Sequence, residues 1–198
     1  MAAQQEPRFD PSGRFKEALV FAADLHRAQT RKDTDIPYVS HLLAVAGLAM
    51  EYGADEDTAI AALLHDAVED QGGAAIEARV RERFGDRVAR IVRDCSDTAE
   101  EPKPPWRARK TDYLAHLPDV PPDSRLVSAC DKLHNARCIL ADVRQDPAGA
   151  FAKFRGGREG TLWYYRSLAA IFRDLGSPVA EELGRVVAEL DATAGPGG

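Results

Sequence analysis

The chain has 198 residues, 44% of them hydrophobic and 29% charged, with a formal net charge of −6. That length supports one domain with a full core and is short for two, and the composition excludes a disordered or fibrous chain. An acidic chain with no basic run interleaved with aromatics does not bind a nucleic-acid polymer, although a local basic cluster or a bound cation can still admit a small anion. Cys95, Cys130 and Cys138 form no disulfide pattern, and residues 1–7 carry no signal-peptide pattern. No run of about 18 apolar residues offers a membrane span, so the expectation is a cytoplasmic protein in a reducing compartment.

In chain order the pattern reads as helix after helix. Residues 1–12 are expected to be a flexible start. Phe15 to Gln29 is amphipathic, with Phe15, Leu19, Ala22, Ala23 and His26 at three-to-four spacing. A polar loop from Thr30 to Val39 holds Arg31, Lys32 and Pro37. Ser40 reads as the cap of a second helix ending at Gly53. Asp55 opens a third, acidic in its first turn, whose apolar run from Thr58 to Leu64 leads into His65-Asp66-Ala67-Val68-Glu69-Asp70. Gly72-Gly73 breaks the chain, and shorter helices follow over Ala74 to Phe84, Asp86 to Cys95 and Trp106 to His116. Asp97 to Pro105 reads as a charged loop. A long helix runs from Ser124, capped by Asp123, to about Val143. Glu159 to Leu175 is another, and Ser177-Pro178 opens a last one to Leu190. Residues 193–198 are expected to be a disordered tail. The pattern describes an all-α domain over 13–192, a bundle of about eight to ten helices.

The chemistry gathers where polar residues interrupt apolar helices. With the helix continued through residues 65–70, His65 lies over Glu69 and Asp66 over Asp70. An imidazole beside carboxylates suits a metal with an acid–base group next to it, and acids toward a helix C-terminus call for a compensating cation. His41 enters its helix just after the basic loop, and Asp131 and Asn135 stand one turn apart in an otherwise apolar helix. A carboxylate there needs a partner: an arginine, a backbone donor or a metal. His116 reads as surface and His26 as a hydrogen-bonded core residue.

Five ordered segments resemble the HD superfamily of metal-dependent phosphohydrolases, and within it the hydrolase domain of the RelA/SpoT alarmone enzymes and the small alarmone hydrolases. They are residues 26–32 (HRAQTRK), 37–46 (PYVSHLLAVA), 65–70 (HDAVED), 131–137 (DKLHNAR) and 161–169 (TLWYYRSLA). The resemblance implies a central site in which His41, His65, Asp66 and Asp131 hold one divalent ion, usually manganese. It implies that Glu69 and Asp70 orient and deprotonate the attacking water, and that Arg31, Lys32 and Asn135 contact the nucleotide. Tyr165, Lys153 and Arg158 are candidates for the rim. Leu42 stands where the family usually has proline, and Cys138 where it often has threonine near the ligand.

The implied reaction is hydrolysis of guanosine 3′,5′-bis(diphosphate), or the pentaphosphate, at the 3′ position, releasing pyrophosphate and GDP or GTP. The alternatives are the same fold acting on an adenosine alarmone or removing the 2′-phosphate of NADPH, and a non-catalytic nucleotide-binding protein. The expected partner is a small nucleotide, with no nucleic-acid polymer and no membrane. The pattern leaves the oligomeric state open.

Overall fold

The computed structural model describes residues 11–96, 104–147 and 149–195. Among them the chain forms ten α-helices: α1 (Gly13–Leu25), α2 (Val39–Glu51), α3 (Glu56–Leu64), α4 (Ala67–Gln71), α5 (Gly73–Phe84), α6 (Asp86–Cys95), α7 (Trp106–His116), α8 (Pro122–Gln145), α9 (Gly157–Asp174) and α10 (Ala180–Ala194). The extended element among the described residues is one isolated bridge, Thr30 to Pro37, which pins the loop between α1 and α2. The all-α expectation of eight to ten helices therefore holds. The expected loop at Asp97 to Pro105 lies mostly outside the described residues, as do residues 1–10 and 196–198.

Helix α3 lies at the centre. Every residue from Thr58 to Leu64 is buried, and α1, α2, α6 and α8 pack around it. A helix apolar on all sides needs neighbours on all sides, and the small side chains of Ala59, Ala61 and Ala62 let those neighbours come close. Helix α8, 24 residues long, touches α2, α3, α6, α9 and α10, and α10 closes over α8 and α9. Fully buried leucines on this frame, such as Leu42, Leu64 and Leu133, contribute roughly 2 kcal/mol each relative to exposure.

The start of α3 is fixed by Asp55, whose carboxylate accepts from the Thr58 amide at 3.0 Å and the Thr58 hydroxyl at 2.6 Å. Arg87 of α6 ties that cap to α8: its guanidinium lies 2.6 Å from Asp55 and 3.0 Å from Asp123, and Arg90 adds a 2.7 Å bond to Asp123. Burial would raise the pKa of both carboxylates. Bonds from Thr58 and Arg87 to Asp55, and from Arg90 and Arg87 to Asp123, outweigh it and hold them below their ordinary value. Arg87→Ala is expected to lower stability by about 1 kcal/mol, less at high salt, read from the denaturant midpoint. Because the folded pKa values are depressed, this contribution is complete above the unfolded carboxylate pKa. It is lost as pH falls through the folded values, so variant and parent should converge in acid.

Several boundaries differ from the sequence expectation; Ser40, expected as the cap of the second helix, lies inside α2, which starts at Val39. Helix α1 stops at Leu25, with His26 as its C-cap. Helix α8 starts at Pro122, a favoured first-turn residue, so Asp123 lies inside the first turn, where it meets the arginines. Helix α10 starts at Ala180 because Ser177 closes a turn first, its carbonyl accepting from Ala180 and its hydroxyl from Val179. At its other end α10 reaches Ala194, so residues 193 and 194 of the expected tail are helical.

The difference that matters for chemistry is at His65-Asp66. Helix α3 ends at Leu64 and α4 begins at Ala67, with the two residues forming a turn between them. Both keep right-handed dihedrals (φ −57°, ψ −31° and φ −94°, ψ −3°), so the interruption is slight. The Asp70 amide still bonds the Asp66 carbonyl at 3.0 Å. Asp66 therefore stays one turn from Asp70. The His65 ring instead hydrogen-bonds back into α3, through Nδ1 to the Ala62 carbonyl at 2.9 Å.

Candidate metal centre

Three segments bring four side chains to one point. His41 comes from the first turn of α2, His65 and Asp66 from the turn after α3, and Asp131 from the middle of α8. His41 Nε2 lies 3.1 Å from Asp131 Oδ1 and 3.5 Å from Asp66 Oδ2. His65 Nε2 lies 3.0 Å from Asp66 Oδ2 and 3.6 Å from Asp131 Oδ1. Ligand atoms of His41, His65 and Asp66 all fall within 4.8 Å of one another.

The hydrogen bonding leaves the cation-facing ring nitrogens open. His65 Nδ1–H donates to Ala62, so Nε2 is the ring atom turned to the carboxylates. His41 Nδ1 lies 2.8 Å from Nδ1 of His134. Burial, then the neighbouring His41 and Arg31, push the His134 pKa down to about 4. A neutral His134 accepts from His41 Nδ1–H, and His41 Nε2 is then the ring atom turned to the carboxylates. Both Nε2 atoms are buried with no hydrogen-bond partner. Two orphaned imidazole nitrogens facing two carboxylates fit a divalent cation.

The carboxylates are also held from behind, as ligands of a metal commonly are. Asp66 Oδ2 accepts from the Tyr38 hydroxyl at 2.5 Å. Asp131 accepts from Lys132 Nζ at 2.5 Å and from Asn135 Nδ2 at 2.6 Å. Burial alone would raise both carboxylic pKa values, but His65 and His41 at Asp66, and Lys132 with the imidazoles at Asp131, hold them well below the usual range. In return, Asp66 and Asp131 raise His65 well above its ordinary value against the effect of burial. The pair attracts positive charge, and a divalent cation competes there with the imidazole proton.

Beside this cluster lie two adjoining cavities of about 280 and 650 Å³ that share Lys32, Asn135, Ile139, Phe154 and Tyr165. Among the described residues the smaller is lined by the cations Lys32, Lys110, Lys132 and Arg155 and by no carboxylate. Trp106 stands over it, seated against Gly156 and Gly160, where a Cβ would come within 2.6 and 3.0 Å of the indole. Four cations, of which Lys132 is paired with Asp131, give this wall of described residues a positive balance suited to an anion. Lys132 and Asn135, which line it, are the residues bonded to Asp131. The larger cavity is bordered by Arg31, Tyr38, His134, Cys138 and Lys153.

The expected substrate contacts are placed as follows. Arg31 bonds Asn135 Oδ1 at 2.6 Å and lies 5.7 Å from the Tyr38 ring centroid. Lys32 donates to the Lys153 carbonyl, and Lys153 Nζ to Asp142 at 2.6 Å. Arg158 is elsewhere. It sits in the first turn of α9, bonds Glu159, and donates to the Ala194 and Gly195 carbonyls at the end of α10, lining neither cavity. Glu69 and Asp70 stand on α4, outside the lining of both cavities, and Gln29 Nε2 donates to Asp70 Oδ2 at 2.8 Å. Gln29, Tyr38, Lys110, Lys132 and Arg155 were not assigned from the sequence. Lys132 is signalled by its place next to Asp131 and Tyr38 by its place before His41; a neutral amide such as Gln29 carries no such signal.

A family model described as HD domain matches residues 18–162. The guanosine-3′,5′-bis(diphosphate) 3′-pyrophosphohydrolase MESH1 of Xenopus tropicalis is 40% identical over 124 residues, which cover 61% of this chain and 66% of that protein. The guanosine-3′,5′-bis(diphosphate) 3′-pyrophosphohydrolase of Aquifex aeolicus is 35% identical over 176 residues, 85% of this chain and 21% of the much longer relative. A solved structure described as a metazoan ortholog of SpoT that hydrolyzes ppGpp superposes with a TM-score of 0.76 at 27% identity, covering 91% of this chain and 97% of that one.

Proposed function

The chain belongs to the HD-domain family, and from that premise we propose that it hydrolyses guanosine 3′,5′-bis(diphosphate), or the pentaphosphate, at the 3′ position. The observation that carries this reading is the pair of orphaned Nε2 atoms, His41 and His65, facing Asp66 and Asp131 next to a cavity to which the described residues bring four cations. His41, His65, Asp66 and Asp131 are the residues to hold the divalent cation. Mixed imidazole and carboxylate donors without a thiolate suit manganese. When bound, such a cation supplies positive charge that acidifies water and offsets charge on the phosphate.

The chain's own residues supply the rest. Glu69 and Asp70 orient the attacking water, and one of the two carboxylates takes its proton. The water oxygen bonds to the phosphorus on the 3′ oxygen and the 3′ O–P bond breaks. Pyrophosphate leaves with the new oxygen, and the 3′ oxygen of GDP or GTP takes up a proton. Lys32, Lys110, Lys132 and Arg155 are placed to balance phosphate charge, and Arg31, steadied by Asn135, offers its guanidinium plane to the base. A cytoplasmic location belongs to the same reading. No helix among the described residues is long and apolar enough to cross a membrane.

The test is a panel assay with manganese. Guanosine and adenosine alarmones, NADPH and simple phosphomonoesters are offered, and products are separated by ion exchange. Pyrophosphate and GDP from the guanosine bis(diphosphate) are expected. Orthophosphate as the product overturns the assigned bond, preference for the adenosine alarmone or NADPH overturns the substrate, and no turnover of any compound overturns the enzyme.

A further inference from the structure

We propose that Gln29 is a positioning residue for Asp70, held in one orientation by His26 and Gln71; this rests on the reading of Asp70 as a group that takes a proton from water. A side-chain amide has two faces that differ only in which end donates. Here the sense is determined by its neighbours. Asp70, which when ionised only accepts, takes the N–H end, and Gln29 Oε1 then faces Gln71 Nε2 at 2.5 Å and His26 Nδ1 at 2.7 Å, two nitrogens themselves 3.4 Å apart. The amide nitrogen is thereby turned to Asp70, 2.8 Å from Oδ2. One carboxylate oxygen of Asp70 is engaged by a fixed donor, which orients the other.

The support is rigid at each step. The Gln29 amide bonds the His26 carbonyl at 3.0 Å and its carbonyl accepts from the Tyr38 amide at 2.9 Å, beside the Thr30–Pro37 bridge. His26 is 2% exposed. Its ring stacks on Tyr38, with centroids 5.2 Å apart and planes 16° apart, and Tyr38 donates to Asp66. Two arms therefore leave one buried imidazole. Through Gln29 it reaches the carboxylate assigned to proton transfer, and through Tyr38 it reaches a carboxylate of the metal cluster.

The test is a double-mutant cycle with manganese and guanosine 3′,5′-bis(diphosphate), in the full chain. Gln29→Leu is expected to lower kcat about tenfold, with KM and metal stoichiometry unchanged. Asp70→Asn is expected to lower kcat on the order of 10²-fold. The double variant should match Asp70→Asn alone, because a residue that acts only through Asp70 has nothing left to act on. Gln29→Glu keeps the shape but loses both donors, so it should be at least as slow as Gln29→Leu and serves if the leucine variant fails to fold. Losses that multiply in the double variant overturn the proposal, as does full activity in Gln29→Glu. Full activity in Asp70→Asn overturns both this proposal and the role assigned to Asp70. A wild-type Gln29→Leu beside a crippled Asp70→Asn overturns the positioning role alone.

Discussion

Asp66→Ala is expected to lose the divalent cation and to lower kcat/KM for guanosine 3′,5′-bis(diphosphate) on the order of 10³-fold or more. Asp66 Oδ2 is the atom nearest His65 Nε2, at 3.0 Å, and it also lies 3.5 Å from His41 Nε2. Its removal leaves Asp131 as the one carboxylate near both imidazoles, and it strips the Tyr38 hydroxyl of its acceptor. An imidazole pair with a single carboxylate is a poor match for a hard cation. Metal content after dialysis, measured by elemental analysis beside activity, checks this. A variant with undiminished metal would remove Asp66 from the ligand set.

Glu69→Gln is expected to keep the metal and still lower kcat by roughly 10²-fold or more. Asp66, Glu69 and Asp70 sit at i, i+3 and i+4, so they share a face of the turn that starts α4. That places Glu69 beside the cluster and not inside it. A glutamine has the same volume but cannot take a proton. Burial and the nearby Asp66 charge push the Asp70 pKa up, with the Gln29 bond pulling against them. Activity that depends on ionised carboxylates here should therefore fall on the acid side of the profile. Rapid-quench measurement of the chemical step, with metal content determined in parallel, separates this outcome from the Asp66 result. Loss of metal together with rate would move Glu69 from proton transfer into the ligand set.

Histidines and acids inside apolar helices are conspicuous in the sequence, but it was the resemblance that singled out four of them as a set. His41, His65, Asp66 and Asp131 converge as the resemblance implied. The break between α3 and α4 was not legible. No glycine or proline marks it, and both residues keep nearly helical dihedrals, so periodicity runs through it unchanged. Arg158 misleads for the opposite reason. Its charge and its place just ahead of residues 161–169 fit a rim, but starting α9 at Gly157 turns it toward the last carbonyls of α10. The smaller cavity was hidden because its cations come from four separated stretches, residues 32, 110, 132 and 155, which no window of sequence reads together.

Asp66 and Asp131 bring two carboxylates to within 3.6 Å of His65 Nε2, which concentrates negative charge at one point. All of that negative charge favours a folded chain with a cation over one without. Cation binding is therefore coupled to folding: free metal at about 100 times its dissociation constant adds roughly 2.7 kcal/mol to stability. The abundance of intact protein, and not only its turnover, would then follow the supply of the ion.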